Sequence, residues 1–425
     1  MLLHPPHPHR PHTPRSPSSH RFHFPTRRRP LLFLLCALAF LFAPVVYSAH
    51  SFLGTYKNFP RHQQYNLLLA KSPAWAHPLV DALKGLPETK GMPRPNMVHG
   101  LREGRSMEEY SAPRLSLPVE GLDGELTSPA VLMLHIFSMP SPASRERREL
   151  IRSIDYFSAI PPPYRHLVEI KFIMGRYSPG HALYDDNESR EIEAEQKREK
   201  DLFILEDLEA GDNMNLGKTW EWLRQVGKEG GREAWWVMKC DDDTFPILPN
   251  LLPYLLAHSP GAPSYVGTSF GRWPGYHFYF EGMMYGFSWP VVKALAAANV
   301  SREDRNREWD EDAHMGYLMF SLPPSSSAPS DCARTPASAS SAIDPCTGLH
   351  RLDLSTRLGN YRANPLIALP IPGRRGSVGV HQLKNGAQFK NVVDEVKESW
   401  EERGLEWRWR VPRELESVAE WDVDW

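Results

Sequence analysis

Short apolar segments that alternate with helical patterns constrain the possible fold of this chain most strongly. The segment Ala130–Phe137 is apolar apart from His135, as expected for a strand covered on both faces. Further strands are predicted at 167–174, 201–205 and 233–240, and helices at 144–157, 188–200 and 216–226. Ser144 is the predicted N-cap of the first helix. The alternation predicts an α/β sandwich with a mostly parallel sheet, whose ligands bind beyond the carboxyl ends of the strands.

Composition divides the 425 residues into a folded body and flanking linkers. A hydrophobic content of 41% supports a large core, whereas many of the 40 prolines cluster near the N-terminus, before residue 125 and at 322–345. The first 50 residues carry six arginines and no acidic residue, so the overall charge of −2 leaves about −8 on the remainder. A mildly acidic body argues against nucleic acid as a partner, because phosphate backbones attract basic surfaces.

The N-terminal region predicts a membrane anchor. Residues 31–48 form an apolar run, long enough to cross a bilayer core of about 30 Å as one helix. Arg27, Arg28 and Arg29 precede it directly, and retained positive charge predicts a cytoplasmic tail at 1–30 and a luminal body. A cleaved signal peptide and a buried core helix are the alternatives. We therefore expect attachment to a membrane through one N-terminal helix.

A luminal body would allow N-glycosylation and disulfide formation. Asn187 and Asn299 each begin an acceptor sequence for N-glycosylation, a tripeptide that also occurs often by chance. Cys332 and Cys346 flank the proline-rich segment at 322–345, and a luminal position favours a disulfide between them. Two unpaired thiols are the alternative.

An acidic triplet, Asp241-Asp242-Asp243, follows the predicted strand at 233–240. Adjacent carboxylates repel one another, so their concentration favours a bound cation, and oxygen ligands suit Mg²⁺ or Mn²⁺. A solvated acidic turn is the alternative, but the apolar sequence on both sides argues against it. A phosphatase-type Asp-x-Asp-x-Thr site would need threonine at position 245, where this chain has Phe245.

Six motifs, in order between about residues 130 and 390, resemble the β-1,3-glycosyltransferases of glycosyltransferase family 31, the galactosyltransferase and Fringe-like group, and most closely its fungal branch. The matching segments are 144–152, Asn215-Leu216-Gly217-Lys218-Thr219, 239–245, 282–288, 311–316 and Val380-His381 followed by Lys384. Ala313 departs from the usual valine, and the segment 282–286 has fewer glycines than usual, which leaves the acceptor open.

This resemblance implies a GT-A fold, a Rossmann-type mostly parallel sheet flanked by helices, in a single-pass type II protein of the Golgi membrane. The sequence pattern predicts a stem at 49–128, a catalytic domain at 129–390 with a disordered insertion at 322–345 that is rich in Ser, Pro and Ala, and a helical tail at 391–425. The tail has an amphipathic stripe, which predicts that it docks on the body.

The resemblance also implies a UDP-sugar donor, bound Mn²⁺ or Mg²⁺, and inversion at the anomeric carbon. Asp243, His381 and Asp241 are the expected metal ligands, while Asp242 or Asp241 contacts the ribose or a metal-bound water. Without the resemblance, His381 reads equally well as a surface histidine. Lys218 and Arg148 are weaker candidates for contacts with the diphosphate or the uracil.

Asp312 is the expected catalytic base and Glu311 the fallback, although acids at a helix N-terminus are also favoured by the helix dipole. The expected acceptor side comprises Glu281, Gly282, Glu311 and Trp273. The aromatic residues Trp273, Tyr276, Phe278 and Tyr279 predict either a sugar-stacking platform or core packing.

The predicted function is therefore transfer of a hexose, first galactose, from a UDP-sugar to a hydroxyl of a glycan acceptor on protein or lipid, expected at the 3-OH. The alternatives are a β-1,3-N-acetylglucosaminyltransferase that uses UDP-N-acetylglucosamine, a catalytically silent glycan-binding relative and a phosphatase-type enzyme.

Overall fold

A computed structural model describes twelve stretches of the chain. They are 106–121, 124–177, 179–206, 208, 212–268, 279–300, 311–319, 321–330, 332, 342–354, 357–361 and 376–418. The predicted cytoplasmic tail, the predicted anchor, most of the predicted stem and the aromatic residues Trp273, Tyr276 and Phe278 lie outside these stretches. Within them, no helix combines the length and the apolar character needed to cross a bilayer.

In the described stretches, ten strands form two sheets. In chain order they are β1 Ala130–Phe137, β2 Val168–Gly175, β3 Leu202–Leu205, β4 Ala234–Asp241, β5 Phe245–Pro246, β6 Ser264–Gly267, β7 Met284–Ser288, β8 His350–Asp353, β9 Leu358–Asn360 and β10 Gly379–His381. The larger sheet has seven strands in the order β3-β2-β1-β4-β7-β6-β8, and β7 is antiparallel to both of its neighbours. The predicted α/β class with a mostly parallel sheet is confirmed.

Helices flank the seven-stranded sheet. They are α1 Pro142–Ser153, α2 Asp186–Glu199, α3 Thr219–Val226, α4 Leu248–Leu256, α5 Trp289–Ala296, α6 Glu311–Met319 and α7 Gly386–Glu401. A π-helical turn at Met214–Lys218 leads into α3.

The ends of α1 differ from the prediction at both termini. The N-cap is Ser141, not Ser144: the Ser141 side chain accepts a hydrogen bond from the Ser144 backbone N–H, and proline occupies the first helical position. The helix ends at Ser153 instead of continuing to 157, because Asp155 adopts a left-handed backbone conformation with φ 51°.

Strand β1 is buried along its whole length, as its continuous apolar sequence predicts. Leu132, Leu134 and Ile136 belong to one hydrophobic cluster, whereas Met133 and Phe137 belong to the cluster on the other side. Both faces of the sheet are therefore covered, which is the arrangement expected for a parallel sheet between helices.

His135 is the polar exception within β1, and its ring is fully hydrogen-bonded. The Trp222 indole N–H donates to His135 Nδ1 at 2.7 Å, and His135 Nε2 lies 3.2 Å from Glu169 Oε1. Burial lowers the pKa of His135, although Glu169 opposes that effect. Burial raises the pKa of Glu169, but His135, Lys171 and Arg232 outweigh it and lower this pKa to about 2.

The three-stranded sheet connects the acidic triplet with the C-terminal part of the chain. Strand β5 directly follows Asp243 and Thr244 and pairs antiparallel with β10, so that Phe245 lies opposite Val380. Strand β10 also pairs in parallel with β9, which places His381 opposite Asn360. This small sheet therefore brings His381 close to the triplet, although the two are far apart in the sequence.

The helix α7 docks on the body through an apolar face, as its stripe predicts. Its buried residues include Phe389, Val392, Val396 and Trp400, and they join the hydrophobic cluster that contains Leu132 of β1. The domain boundary expected at residue 390 falls inside α7. The C-terminal segment up to 418 is therefore continuous with the core of the body.

The end of the predicted stem also packs on the body. Met107 is buried, its backbone N–H donates to the Pro324 carbonyl, and the Glu108 carboxylate accepts a hydrogen bond from the Ser326 backbone N–H. The structure contains a disulfide between Cys332 and Cys346. The start of the insertion predicted at 322–345 is thus held by the stem segment, while 331 and 333–341 lie outside the described ranges.

We expect Trp400→Ala to lower the free energy of unfolding by about 3–5 kcal/mol, because it removes a buried indole that packs edge-on against Trp407. Urea denaturation followed by circular dichroism measures this change. Glu395→Ala, on the exposed face of α7, is the matched control and should change stability by less than about 0.5 kcal/mol. Equal effects of the two substitutions would show that α7 does not dock as described.

Candidate active site

The acidic triplet lies in a tightly held turn at the carboxyl end of β4. The Met283 carbonyl accepts two hydrogen bonds from this turn. The Asp241 backbone N–H donates one at 3.1 Å, and the Thr244 hydroxyl donates the other at 2.9 Å. Asp243 is 4% exposed and Thr244 is fully buried. The triplet therefore lies in an ordered, largely buried turn and not in a solvated surface turn.

Each carboxylate of the triplet has its own side-chain cation. Lys239 Nζ lies 2.9 Å from Asp241 Oδ1, and Arg147 Nη1 lies 2.6 Å from Asp242 Oδ1. Lys384 Nζ donates to Asp243 Oδ2. The sequence argument that three carboxylates need a compensating cation is thus satisfied by side chains, so the triplet alone does not demonstrate a metal site.

The pKa values of the two more buried aspartates shift in opposite directions. Burial raises the pKa of Asp243, but the contacts with His381 and Lys384 outweigh it and hold this pKa below its usual range. Burial also raises the pKa of Asp242, and there Arg147 compensates only in part. Asp243 is therefore the carboxylate of this pair that is more strongly held in its ionised, ligating form.

His381 completes a constellation that fits a divalent ion. Its Nε2 lies 3.2 Å from Asp243 Oδ1 and 3.9 Å from Asp241 Oδ2, and one ligand atom from each residue falls within 4.8 Å of the others. Ligands about 2.0–2.6 Å from one ion lie at most about 5 Å apart. The three predicted metal ligands are thus close enough to share a single ion.

The orientation of the His381 ring also suits metal ligation. Its Nδ1–H donates to Asn360 Oδ1 at 2.7 Å, which directs Nε2 at the two carboxylates, where a deprotonated Nε2 would offer its lone pair to an ion between them. Such a hydrogen bond to the outer ring nitrogen is the usual companion of a metal-bound histidine. Asn360 therefore has a function that the sequence did not indicate.

Lys239 connects the triplet to the neighbouring elements. It is fully buried, and its ammonium donates to Asp241 Oδ1 at 2.9 Å, Gly282 O at 2.7 Å and Glu311 Oε2 at 3.3 Å. The nitrogen also lies 5.2 Å from the ring centroids of Phe137 and Tyr285. Burial lowers the pKa of Lys239, but the nearby Asp241 and Glu311 carboxylates raise it overall, so the side chain remains charged.

Glu311 is an anchoring residue at the start of α6. Its carboxylate accepts hydrogen bonds from the Thr219 hydroxyl at 2.7 Å and from the Tyr285 hydroxyl. Its own backbone N–H donates to Asn215 Oδ1 at 3.1 Å. Glu311 is 7% exposed, so these contacts leave it poorly suited to the fallback role of base.

Asp312 lies beside Glu311 and is more exposed. Its Oδ2 accepts a hydrogen bond from the Gly282 backbone N–H at 3.2 Å. The Gly282 carbonyl in turn accepts from Lys239, so the predicted base and the predicted metal ligand Asp241 share one connecting network. Of the other predicted acceptor-side residues, Glu281 donates its backbone N–H to the Thr268 carbonyl at 2.8 Å, and Trp273 is outside the described ranges.

The structure corrects the predicted donor contacts of Arg148 and Lys218. Both side chains are fully buried. Arg148 forms a paired contact with Glu195 at 2.8 and 2.6 Å, and it also donates to the Ser138 hydroxyl. Lys218 Nζ lies 2.5 Å from Asp212 Oδ1 and donates to the Ser138 carbonyl. Both side chains thus donate hydrogen bonds to Ser138. The Ser138 hydroxyl in turn lies 3.3 Å from Asp242 Oδ2, so the two cations contact the triplet indirectly through Ser138.

Arg147, and not Arg148, reaches the triplet. Arg148 lies three residues before Ile151, on the buried face of α1, and this spacing could have identified it as a core residue. Arg147 is one position away and 28% of its side chain is exposed. The helical periodicity therefore already indicated that Arg148 faces the core and that Arg147 does not.

A cavity of about 470 Å³ lies beyond the carboxyl ends of β1 and β2. Its wall combines apolar and aromatic side chains with arginines, among them Met139, Tyr177, Leu183, Arg145 and Arg176. Met139 in its wall directly follows Ser138, whose hydroxyl lies 3.3 Å from Asp242 Oδ2, but no residue of the triplet lines the cavity. The predicted glycosylation residue Asn187 also lines it, and Asn299 is exposed after α5.

No protein-family model matches this chain. A solved structure of the galactosyltransferase LgtC in complex with donor and acceptor sugar analogues aligns with 67% of this chain and 99% of its own, at a TM-score of 0.33 and 8% identity. A structure of an active-site mutant of LgtC aligns with 68% and 99%, at a TM-score of 0.33 and 10% identity. A TM-score this low carries no argument about this chain, whose function must be argued from its own site.

We expect Lys239→Met to lower the free energy of unfolding by about 3–5 kcal/mol, because it leaves the carboxylates of Asp241 and Glu311 without their buried cation. Chemical denaturation measures the change. Lys390→Met removes the same charge from the exposed face of α7 and should have an effect below about 0.5 kcal/mol. A Lys239→Met protein as stable as this control would contradict the linking role of Lys239.

Proposed function

We propose that this protein is a metal-dependent glycosyltransferase that moves a sugar from a nucleotide-diphosphate donor to a hydroxyl group. The observation that carries the proposal is the convergence of Asp241, Asp243 and His381 Nε2 at the carboxyl end of β4, with the Asp312 carboxylate joined to it through Gly282 and Lys239. The six family-31-like motifs supply the same residues in the same roles. Both lines of support favour a GT-A type enzyme.

The donor side is assigned to the triplet and His381. Asp243, His381 and Asp241 would hold Mn²⁺ or Mg²⁺, and the mixture of carboxylate and imidazole ligands suits Mn²⁺ better than Mg²⁺. Once held by these residues, the ion would coordinate the diphosphate and offset the charge that develops on the leaving UDP. Asp242, which Arg147 and Ser138 orient, is available for a contact with the ribose.

The acceptor side is assigned to Asp312 and Gly282. An inverting transfer in one step needs a base that removes the proton of the acceptor hydroxyl while that oxygen attacks the anomeric carbon from the side opposite the diphosphate. Asp312 is the group we assign to this step, because Glu311 is committed to Thr219, Tyr285 and Lys239. Glu311 positions Asp312 by fixing the start of α6.

The substrate assignment follows the family resemblance. We assign UDP-galactose as the donor and the 3-OH of a glycan on protein or lipid as the acceptor. UDP-N-acetylglucosamine is the competing donor, and a catalytically silent glycan-binding relative is the competing class. The cavity lined by Met139 and Tyr177 offers apolar and aromatic surface of the kind that a nucleotide base favours, beside arginines and carboxylates.

The cellular setting follows the N-terminal pattern. We assign a type II topology in the Golgi membrane, with the catalytic domain in the lumen. The disulfide between Cys332 and Cys346 supports a luminal body, because disulfides persist in oxidising compartments.

We expect the full chain to bind UDP-galactose only when Mn²⁺ is present, and Asp243→Asn to weaken this binding more than about tenfold, because it removes one anionic ligand. Isothermal titration with UDP-galactose, UDP-N-acetylglucosamine and UDP-glucose, with and without Mn²⁺, measures it. Asp394→Asn, on the exposed face of α7, is the matched control. The absence of binding to all three donors would count against the enzyme class, and equal binding without Mn²⁺ would count against the metal site.

We expect Asp312→Asn to reduce the rate of transfer by about 10²- to 10⁴-fold, because the amide cannot accept the acceptor proton. The metal-dependent binding of UDP should persist. Transfer of labelled galactose from UDP-galactose to a panel of glycoprotein and glycolipid acceptors measures the rate, again with Asp394→Asn as the control. A variant that retains near-normal turnover would rule out Asp312 as the base.

A further inference from the structure

The three cations that neutralise the triplet differ in how freely they could move. The side chain of Lys239 is fully buried and that of Arg147 is 28% exposed, whereas that of Lys384 is 65% exposed. Lys239 also binds two further acceptors. Lys384 is therefore the member of this trio whose ammonium water can hydrate most readily when it leaves its carboxylate.

The backbone that carries Lys384 is held in place on both sides. The Leu383 backbone N–H donates to the Asp243 carbonyl at 2.9 Å, and the Lys384 backbone N–H donates to Gln388 Oε1 at 2.8 Å. The preceding His381 carbonyl accepts from the Tyr361 backbone N–H at 2.7 Å. A change in the position of the ammonium therefore requires only side-chain rotation and leaves His381 and Asp243 where they are.

Lys384 and the metal site use the same carboxylate. Asp243 directs Oδ1 towards His381 Nε2 and Oδ2 towards Lys384 Nζ. A divalent ion coordinated by Asp243 and His381 would lie within a few ångströms of the ammonium. Like charges this close repel strongly in a site that is largely shielded from water.

We propose that Lys384 is an exchangeable counter-ion: its ammonium neutralises Asp243 when the site is free of metal, and it leaves the carboxylate when a divalent ion binds. This inference rests on the proposed metal site formed by Asp241, Asp243 and His381. Lys239 and Arg147 stay in place and keep Asp241 and Asp242 oriented. Metal binding is then a competition between the ion and one lysine side chain of the protein itself.

The affinity of the full chain for Mn²⁺ alone tests this competition. Electron paramagnetic resonance of free Mn²⁺ during titration gives the dissociation constant for the wild type and for Lys384→Met. The variant removes the competing ammonium, so we expect its affinity to rise about two- to five-fold, as for the loss of a weak ion pair. Lys390→Met, with the same charge change on the exposed face of α7, should leave the affinity unchanged.

A second readout follows the lysine directly. Brief acetylation with an amine reagent, followed by peptide mass spectrometry, reports how accessible each ammonium is. We expect Mn²⁺ to accelerate the acetylation of Lys384 in the wild type and to leave that of Lys390 unchanged. This measurement requires neither a sugar donor nor catalytic turnover.

The outcomes separate this inference from the function on which it rests. Mn²⁺ binding by the wild type with no gain, or a loss, in Lys384→Met overturns the exchange and leaves the metal site standing. Acetylation of Lys384 that is unaffected by bound Mn²⁺ overturns it as well. Failure of both the wild type and Lys384→Met to bind Mn²⁺ overturns the exchange together with the proposed metal site.

Discussion

The buried ammonium of Lys239 is the contact on which the arrangement of the site depends. It joins three segments that are distant in the sequence: the end of β4 through Asp241, the loop before β7 through the Gly282 carbonyl, and the start of α6 through Glu311. A charge in this position is tolerated because two carboxylates and a carbonyl surround it. The proposed donor side and the proposed acceptor side are consequently joined through a single side chain.

The other two cations, Arg147 and Lys384, differ in how firmly they are held. Arg147 orients Asp242, and the buried pair of Arg148 and Lys218 supports it through Ser138. Lys384 instead approaches Asp243 from solvent. Each carboxylate of the triplet is thus paired with a side-chain cation of the protein itself.

The large sheet could be predicted from the sequence because its central strands are buried on both faces. Ala130–Phe137 was predicted with its observed bounds, since a continuously apolar segment has few other stable placements. The small sheet could not be predicted in this way. Its strands β5, β9 and β10 have two or three residues each, too few for any periodicity to develop.

The same contrast applies to the site. The triplet was recognisable because it follows an apolar strand, but the approach of His381 depends on the small sheet and was expected only from the family resemblance. The partner Asn360 has no local signature, because a hydrogen bond across the fold leaves no trace in spacing, and Lys384 was part of a recognised motif but its contact with Asp243 was not expected. The end of α1 was missed for a related reason: the left-handed backbone of Asp155 interrupts a pattern that would otherwise continue.

Anomalous diffraction can show whether Asp241, Asp243 and His381 bind one divalent ion, as we propose. Crystals of the protein grown with Mn²⁺ and UDP would be measured at the manganese absorption edge. We expect one anomalous peak about 2.0–2.6 Å from His381 Nε2 and from oxygens of Asp243 and Asp241, with the diphosphate of UDP beside it. A peak held by other residues, or UDP bound with no manganese at these three side chains, would contradict it.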